Sequence, residues 1–344
     1  MTDIWAGVDR LVERASSLAG LRAHRIQLLA ARRWRALGRD VPAELAADER
    51  RAAIAHVTTP LLLRRIRDTY DGPLVVLKGI EVAARYPTPG LRPFHDIDIL
   101  VPDAHEAQRA LLSSGFEEGG RPEFFEGLHH LRPVDLPRFP LWVEVHSRPN
   151  WLAPLEPPSS EELFAVAVPS SCGIDGVSTL PAPYHALVLA VHAWSGEKRT
   201  ARLSHFIDVA AMCEGVDERE LAALARRFGL TRLWATTTSF IDLLLGDPET
   251  SPSAPWGTRY LSEVREPTVS EVHLQRWLRP FWTLPPGRAL RRLPSVAREE
   301  VAPSAGELAS KIGRTAQTIR NVSSPLSEHE QRLGRRFRPG SRRR

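Results

Sequence analysis

The chain has 344 residues, of which 42% are hydrophobic, so it is long enough for two or three compact units with buried cores. Its formal net charge is +5, but residues 332–344 carry seven arginines and no acid, and subtracting these seven charges leaves −2. A near-neutral body disfavours binding of a long nucleic acid. We expect the arginine-rich tail to be disordered and solvated, with binding to an anionic partner as the alternative.

The two cysteines, Cys172 and Cys213, can form no disulfide framework and do not have the spacing of metal ligands. The first twenty residues lack the basic start and apolar stretch of a signal peptide. No apolar run approaches the ~18 residues of a membrane span. We therefore expect a cytoplasmic protein with reduced thiols and no membrane partner.

The N-terminal part is predicted to be helical. Apolar residues recur at three- and four-residue spacing over residues 4–36 and 43–70, which indicates amphipathic helices on either side of the stretch GRDVP. We assign residues 1–71 to an N-terminal helical region.

Strand patterns follow, and they alternate with short helices. The predicted elements are strands at residues 73–78, 96–101 and 141–147, and helices at 79–85 and 103–116. Asp103 is the predicted N-cap of the second helix. We assign residues 72–150 to a compact α/β core.

Helical periodicity returns after a proline- and serine-rich loop at residues 153–160. We assign residues 151–290 to a helical domain that closes a cleft over the core. Residues 291–344 are predicted to form a C-terminal helix followed by the arginine-rich tail.

Two aspartates stand one residue apart on the predicted strand DIDILV. Because successive strand side chains point to opposite faces, Asp96 and Asp98 share one face and the isoleucines share the other. A divalent cation would relieve the repulsion between the two carboxylates, and oxygen ligands suit Mg²⁺. A solvated strand edge explains a D-x-D pattern alone about as well.

A third carboxylate follows on the strand LWVEVHS. Its apolar residues alternate, so Glu144 lies on the opposite face, at the right phase to join Asp96 and Asp98. Three carboxylates around two magnesium ions can hold the groups of a phosphoryl or nucleotidyl transfer. By itself, Glu144 is also explained as an ordinary exposed strand residue.

These residues resemble a known family, the uncharacterised nucleotidyltransferases of the DNA-polymerase-β superfamily, sometimes called nucleotidyltransferase type 5. The resemblance covers about residues 50–215, and the ordered combination of motifs is more specific than any one of them. The matching pieces are Leu77-Lys78-Gly79, Tyr86-Pro87, Pro89, Arg92, the strand 96–101, Val143-Glu144-Val145-His146 and the helical segment 185–212.

The resemblance implies an α+β fold, namely a minimal polymerase-β-like core of mixed sheet and helices with helical regions before and after it. It implies that Asp96, Asp98 and Glu144 bind Mg²⁺, or Mn²⁺, and carry the catalysis. The turn Lys78-Gly79 departs from the usual Gly-Ser or Gly-Gly, so that Lys78 would replace a hydroxyl contact to phosphate. Glu144 is one methylene longer than the commoner aspartate.

The predicted nucleotide-binding residues are Lys78, Gly79, Arg92, His192, Lys198, Arg199 and Asp208. Each has a structural alternative, such as an exposed loop arginine for Arg92 and a solvated turn for Lys198 and Arg199. The histidines of this region, with Asp208, also permit a zinc or hydrolase site, but a histidine packed between helices is the more frequent outcome.

The sequence thus predicts an enzyme that uses an NTP, with ATP first, and transfers the nucleotide to a small-molecule, peptide or protein acceptor. The end of a tRNA is a further candidate acceptor. A degenerate module that binds nucleotide without transferring it is one alternative. A D-x-D glycosyltransferase is another, although such folds place several strand–helix units before the motif.

Overall fold

The structure, a computed structural model, describes residues 3–120, 129–195, 201–247, 257–301 and 323–328. In this part of the chain the strands form one mixed sheet of seven strands, with helices before, between and after them, so the predicted α+β class is confirmed. The strands are β1 (Leu74–Val76), β2 (Asp96–Leu100), β3 (Glu117–Glu118), β4 (Val134–Asp135), β5 (Trp142–His146), β6 (Val168–Pro169) and β7 (Val177–Thr179).

The helices before and within the sheet are α1 (Ile4–Glu13), α2 (Leu18–Ala23), α3 (Gln27–Ala36), α4 (Leu45–Arg67), α5 (Ile80–Ala83), α6 (Ala104–Ser113) and α7 (Ser160–Val166). Those that follow are α8 (Ala182–Ser195), α9 (Leu203–Cys213), α10 (Glu218–Arg227), α11 (Thr231–Leu245), α12 (Arg259–Ser262), α13 (Val269–Thr283) and α14 (Pro286–Val301). Asp103 caps α6 as predicted, since its Oδ1 accepts a hydrogen bond from the backbone N–H of Glu106.

The spatial order of the strands is β3-β4-β5-β2-β1-β7-β6. β2 lies at the centre, antiparallel to β1 and parallel to β5. Ile97 and Ile99 of β2 and Val143 and Val145 of β5 are buried in one core with residues of α4 and α6. Each such side chain stabilises the fold by about 1.5–3 kcal/mol relative to an exposed one. This apolar face sets the register and thereby turns the polar face of both strands the other way.

A second core joins the first helices of the chain to later ones. Buried residues of α1, α3, α8, α9 and α11 pack together, among them Val8, Leu29, Val191, Phe206 and Phe240. The N-terminal helices therefore pack against the helices that follow the sheet.

The sheet also takes two strands from a stretch that the sequence analysis assigned to the helical domain. β7 pairs in parallel with β1, and β6 pairs antiparallel with β7. With three and two residues, these strands are too short to show an alternating pattern. The predicted core of residues 72–150 therefore omits β7 and β6, the two strands at one edge of the sheet.

Two predictions fall outside the described residues. The predicted C-terminal helix lies mostly beyond Val301, the last residue of α14, and the arginine-rich tail lies wholly beyond residue 328. In the described part of the chain, no helix combines the length and the apolar character that crossing a bilayer requires.

Candidate functional site

The candidate site lies on the polar face of β2 and β5. The two strands pair in register, so Asp98 stands beside Glu144 and Leu100 beside His146. Asp96 and Asp98 share one face of β2, as the alternation of strand side chains requires. The structure thus brings together the three carboxylates that the sequence singled out and adds the imidazole of His146.

Asp98 is the most enclosed of these carboxylates, with 1% of its surface exposed. Its Oδ1 lies 2.9 Å from Nζ of Lys78 and 3.1 Å from Nε2 of His146. Burial alone would raise the pKa of Asp98, but the charge of Lys78 and the hydrogen bond from His146 outweigh it and hold that pKa well below its usual range. Burial would lower the pKa of Lys78, but the charges of Asp98 and Asp96 outweigh it and raise that pKa. Asp98 is therefore ionised.

Asp96 lies nearer the open cleft, and it is half-buried. Burial raises the pKa of Asp96, and the negative charge of Asp98 raises it further. The two aspartates of the D-x-D pattern therefore differ in environment, because one is paired with basic groups and the other faces the cleft.

Glu144 and His146 complete a group that can hold a cation. One ligand atom from each of Asp98, Glu144 and His146 lies within 4.8 Å of the others, and Asp96 is outside this group. Oδ2 of Asp98 and Nδ1 of His146 are buried and have no hydrogen-bond partner among the described residues. A buried carboxylate oxygen without a partner is unfavourable, and a bound cation would satisfy it. The donor set therefore fits a divalent metal ion.

The turn between β1 and α5 carries Lys78 and Gly79. Gly79 has a φ of 65°, in the left-handed region that residues with a side chain rarely adopt. His185 of α8 supports the turn from the protein interior, where its Nε2 hydrogen-bonds to the carbonyl of Leu77. Because His185 is buried and makes that contact, it is a packed structural histidine and not a ligand in a zinc or hydrolase site.

Arg92 and Asp208 lie in the cleft wall and bind each other. Nε and Nη2 of Arg92 donate to the two carboxylate oxygens of Asp208, each at 2.8 Å, and the hydroxyl of Tyr86 donates to Oδ1 of Asp208 at 2.7 Å. Nη1 of Arg92 also donates to the carbonyl of Gly79 at 3.3 Å. Burial opposes the charge on Arg92, but Asp208 outweighs it and raises the pKa of Arg92 above its ordinary value. This buried pair ties the loop before β2 and the Lys78-Gly79 turn to α9.

His192 and His205 lie side by side in the cleft, with their ring centres 5.7 Å apart. Nδ2 of Asn150 is 3.4 Å from Nδ1 of His192. Burial, with nearby cations, holds the pKa of His205 well below its usual range, so this ring is neutral. Among the described residues these histidines and Asp208 form no metal-binding group. Lys198 and Arg199 lie outside the described residues.

One cleft of about 750 Å³ is lined by Lys78, Gly79, Arg92, Asp96, Glu144, His192, His205 and Asp208, whereas Asp98 and His146 are not among its lining residues. Sequence reasoning missed the arginines that also line it, which are Arg25, Arg148, Arg202, Arg276, Arg279 and Arg292. Arg25 is held with a φ of 56° in the loop between α2 and α3, and its charge acts on Asp96. No local motif marks these arginines, because helices distant in sequence bring them to the cleft.

Comparison with known proteins points to one family. A family model described as an uncharacterised nucleotidyltransferase matches residues 13–246. Among solved structures, the chain is similar to that of the antibiotic-resistance factor ANT(2'')-Ia, with a TM-score of 0.36 and 15% sequence identity, over 50% of this chain and 92% of that chain. No curated protein matches the chain.

Proposed function

We propose, since the chain belongs to the family of uncharacterised nucleotidyltransferases, that it transfers a nucleoside monophosphate from an NTP to an acceptor hydroxyl in a magnesium-dependent reaction. The family match covers the turn, both strands of the acidic face and α9. Membership of this family confirms the enzyme class predicted from the sequence and leaves the glycosyltransferase alternative without support.

The observation that carries the proposal is the meeting of Asp98 and Glu144 in register beside the cleft, with an oxygen of Asp98 buried and unsatisfied. We assign Asp96, Asp98 and Glu144 to the metal ions, with His146 either as a further ligand or as a donor that orients Asp98. When bound, magnesium supplies the positive charge that stabilises the transferred phosphate and the departing pyrophosphate. Manganese would suit the same donor set.

The transfer forms one bond and breaks one bond. The acceptor oxygen bonds to the α-phosphorus, and the bond from that phosphorus to the bridging oxygen breaks, so pyrophosphate leaves with the electron pair. The acceptor hydroxyl loses its proton in this step. We assign that proton to Asp96 in addition to its role as a metal ligand, because Asp96 lines the cleft and lies outside the close group of Asp98, Glu144 and His146.

The remaining predicted residues act on the triphosphate. We assign Lys78 to the phosphates, since its ammonium lies beside the acidic face, and Gly79 to the close approach of the backbone. Arg92 and Asp208 would hold that turn in place through their mutual pair. His192, Lys198 and Arg199 stay predictions as nucleotide-binding residues. ATP as the nucleotide and the cytoplasm as the location also stay predictions.

The proposed function is tested by following a label from the α-phosphate of an NTP to an acceptor. The full chain is incubated with each of the four NTPs labelled at the α-phosphate, with Mg²⁺ and with separated small-molecule, protein and RNA fractions of a cell extract. We expect label to move to one fraction with stoichiometric release of pyrophosphate, and we expect Asp98→Asn to abolish both. Asp103→Asn is the matched control, because asparagine preserves the cap of α6 and Asp103 does not line the cleft.

One observation favours the degenerate module as a second candidate. The ammonium of Lys78 lies 2.9 Å from Oδ1 of Asp98, so this carboxylate already has a cationic partner without a metal ion. A chain of this kind would bind an NTP without Mg²⁺ and release no pyrophosphate with any fraction. Metal-dependent release of pyrophosphate would exclude it.

A further inference from the structure

Helix α4 exposes a stripe of apolar side chains to solvent. Ile54, Val57 and Leu61 are 50%, 67% and 53% exposed, and all three belong to this one helix. In the described part of the chain, the other exposed large hydrophobic residues stand singly on different elements. Single exposed apolar residues are ordinary on a protein surface, whereas a contiguous set indicates a surface that binds a partner.

The stripe has the spacing of a coiled-coil seam. Arg50, Ile54, Val57, Leu61 and Arg64 follow one another at intervals of four, three, four and three residues, and we call these five residues the α4 seam. This spacing aligns the side chains along one side of an α-helix, which is the geometry by which two helices pack together. The opposite face of α4 is buried in the core that contains β2 and β5, so packing fixes the position of the seam before any partner binds.

Both ends of the α4 seam carry a positive charge. The side chains of Arg50 and Arg64 are exposed, and neither forms a hydrogen bond or an ion pair with another described residue. The two acidic residues of the helix, Asp48 and Glu49, are already paired with other arginines. The seam is therefore apolar in its middle and basic at both ends, and its complement is apolar with an acidic group at each end.

A second copy of this chain does not provide that complement. In an antiparallel helix pair, Arg50 of one copy would lie opposite Arg64 of the other, and in a parallel pair each arginine would lie opposite itself. Either arrangement brings like charges together at both ends of the contact, which disfavours the pairing. Residues 302–322 of this chain do not provide the complement either, since they include three basic residues and one acidic residue.

We propose that the α4 seam is a docking surface for an acidic amphipathic helix of a partner protein. The partner helix has apolar residues at the same spacing of four and three, and a carboxylate towards each end that pairs with Arg50 or Arg64. These two arginines lie about 21 Å apart along the helix axis, so the partner helix spans about four turns. No residue of α4 lines the cleft, so this inference does not depend on the proposed function.

An anionic membrane is the competing partner, because apolar and basic residues also mark helices that lie on a lipid surface. Such helices insert a broad apolar face, in which tryptophan and phenylalanine are frequent. The α4 seam contains no aromatic residue, and its apolar residues form a single line. A single line of aliphatic residues suits packing against another helix better than insertion between lipids.

A synthetic helical peptide serves as the probe for this surface. It carries three leucines at the seam spacing and one glutamate at each end of them, and a second peptide has lysine in place of both glutamates. Binding of each labelled peptide to the full chain is measured by fluorescence anisotropy. We expect saturable binding of the glutamate peptide and about tenfold weaker binding of the lysine peptide, because two attractive charge pairs become repulsive.

Three variants test the residues of the seam. The double substitution Arg50→Glu and Arg64→Glu should reverse the preference, so that the lysine peptide binds about tenfold more tightly than the glutamate peptide. Val57→Ser should weaken binding of both peptides about tenfold, because it removes apolar area from the middle of the contact. Leu290→Ser is the control, because Leu290 is a single exposed leucine on α14, 58% exposed, and its replacement should leave both affinities unchanged.

Other outcomes identify a different occupant. No saturable binding of the glutamate peptide to the wild type would overturn the inference, and so would a preference that the two arginine substitutions leave unchanged. Sedimentation of the chain, alone and with vesicles of phosphatidylserine and phosphatidylcholine, tests the alternatives. Self-association that Val57→Ser abolishes would overturn the inference in favour of a second copy, and vesicle binding that Val57→Ser abolishes would overturn it in favour of a membrane. A monomer that does not bind the vesicles would support it.

Discussion

The carboxyl of Asp98 lies between two basic groups, the ammonium of Lys78 and the imidazole of His146. Asp98 and His146 are almost wholly enclosed and Lys78 is half-buried, so each depends on the others to remain charged. A bound cation would add a further positive charge to the same cluster. The positive charge of Lys78 therefore determines how much a bound metal ion can further stabilise the carboxylate of Asp98.

Replacing Lys78 with alanine tests this dependence. Removing one partner of a buried ion pair leaves an uncompensated charge, so we expect Lys78→Ala to lower the free energy of unfolding by about 3 kcal/mol without metal. Added Mg²⁺ should restore part of that loss and should stabilise the variant more than the wild type. Urea unfolding with and without Mg²⁺ measures both effects. Equal stabilisation of the two proteins by Mg²⁺ would mean that no cation binds beside Asp98.

A substitution of Arg92 provides a second test at the scale of single residues. Its two parallel hydrogen bonds to Asp208 require the planar guanidinium, which lysine cannot replace. We expect Arg92→Lys to lower the free energy of unfolding by about 2 kcal/mol or more, because Asp208 stays buried with a poorer partner. Arg85→Lys, at an exposed position shortly after α5, should change the free energy of unfolding little. If Arg92→Lys and Arg85→Lys lowered the free energy of unfolding equally, Arg92 would not stabilise the fold and would serve ligand binding alone.

At the scale of elements, the β1–α5 turn and the strands β2 and β5 build the site. Their sequence pattern was sufficient to predict the two strands, because apolar residues alternate with Asp96 and Asp98 in β2, and because Val143 and Val145 alternate with Trp142, Glu144 and His146 in β5. β6 and β7 could not be predicted, since two or three residues carry no period. The pairing of β2 with β5, which places Asp98 beside Glu144, follows from the sheet and not from either strand alone.

Gly79 tests the turn. An added Cβ would meet its nearest atom at 3.5 Å, an ordinary contact, so the effect of Gly79→Ala should come from the positive φ alone. We expect a loss of about 1–2 kcal/mol in the free energy of unfolding, together with weaker NTP binding. Gly38→Ala is the matched control, because Gly38 has a φ of 67° and open space around it. It should lose similar stability and keep full NTP affinity. Unchanged NTP affinity in Gly79→Ala would mean that the turn does not take part in nucleotide binding.

At the scale of the whole molecule, two cores bring the acidic strands and the arginine helices to one cleft. The sequence predicted the acidic face and the family but not the arginines before α9 and on α13 and α14 that line the cleft. Arg202 and Arg276 are far apart in the chain, and the buried hydrogen bonds of Tyr260 to Ala201 and Gln275 link the segments that carry them. Because this proximity results from tertiary packing, no local sequence pattern could predict it.

Two buried histidines of these cores predict how stability depends on pH. Burial lowers the pKa of His24 and of His185 to about 4 in each case. In the unfolded chain each would bind a proton below its ordinary pKa of about 6.5, so stability is complete above that value and falls as the pH drops towards 4. We expect each histidine to remove about 2 kcal/mol by pH 5.

Urea unfolding at pH 7.5 and pH 5 measures this loss. His24→Gln and His185→Gln should each reduce the difference between the two pH values, whatever they do to stability at pH 7.5. His105→Gln, at an exposed position, should leave the difference unchanged. A difference between the two pH values that neither core substitution reduces would contradict this assignment to His24 and His185.

The central claim is that the acidic face of β2 and β5 binds an NTP through a divalent metal ion. Calorimetric titration of the four NTPs, with and without Mg²⁺, on the wild type and on Asp98→Asn tests it most directly. We predict micromolar binding of at least one NTP that requires both Mg²⁺ and Asp98. Equal binding in the absence of Mg²⁺, or in Asp98→Asn, would contradict the metal assignment, and no binding of any NTP would contradict the nucleotide site itself.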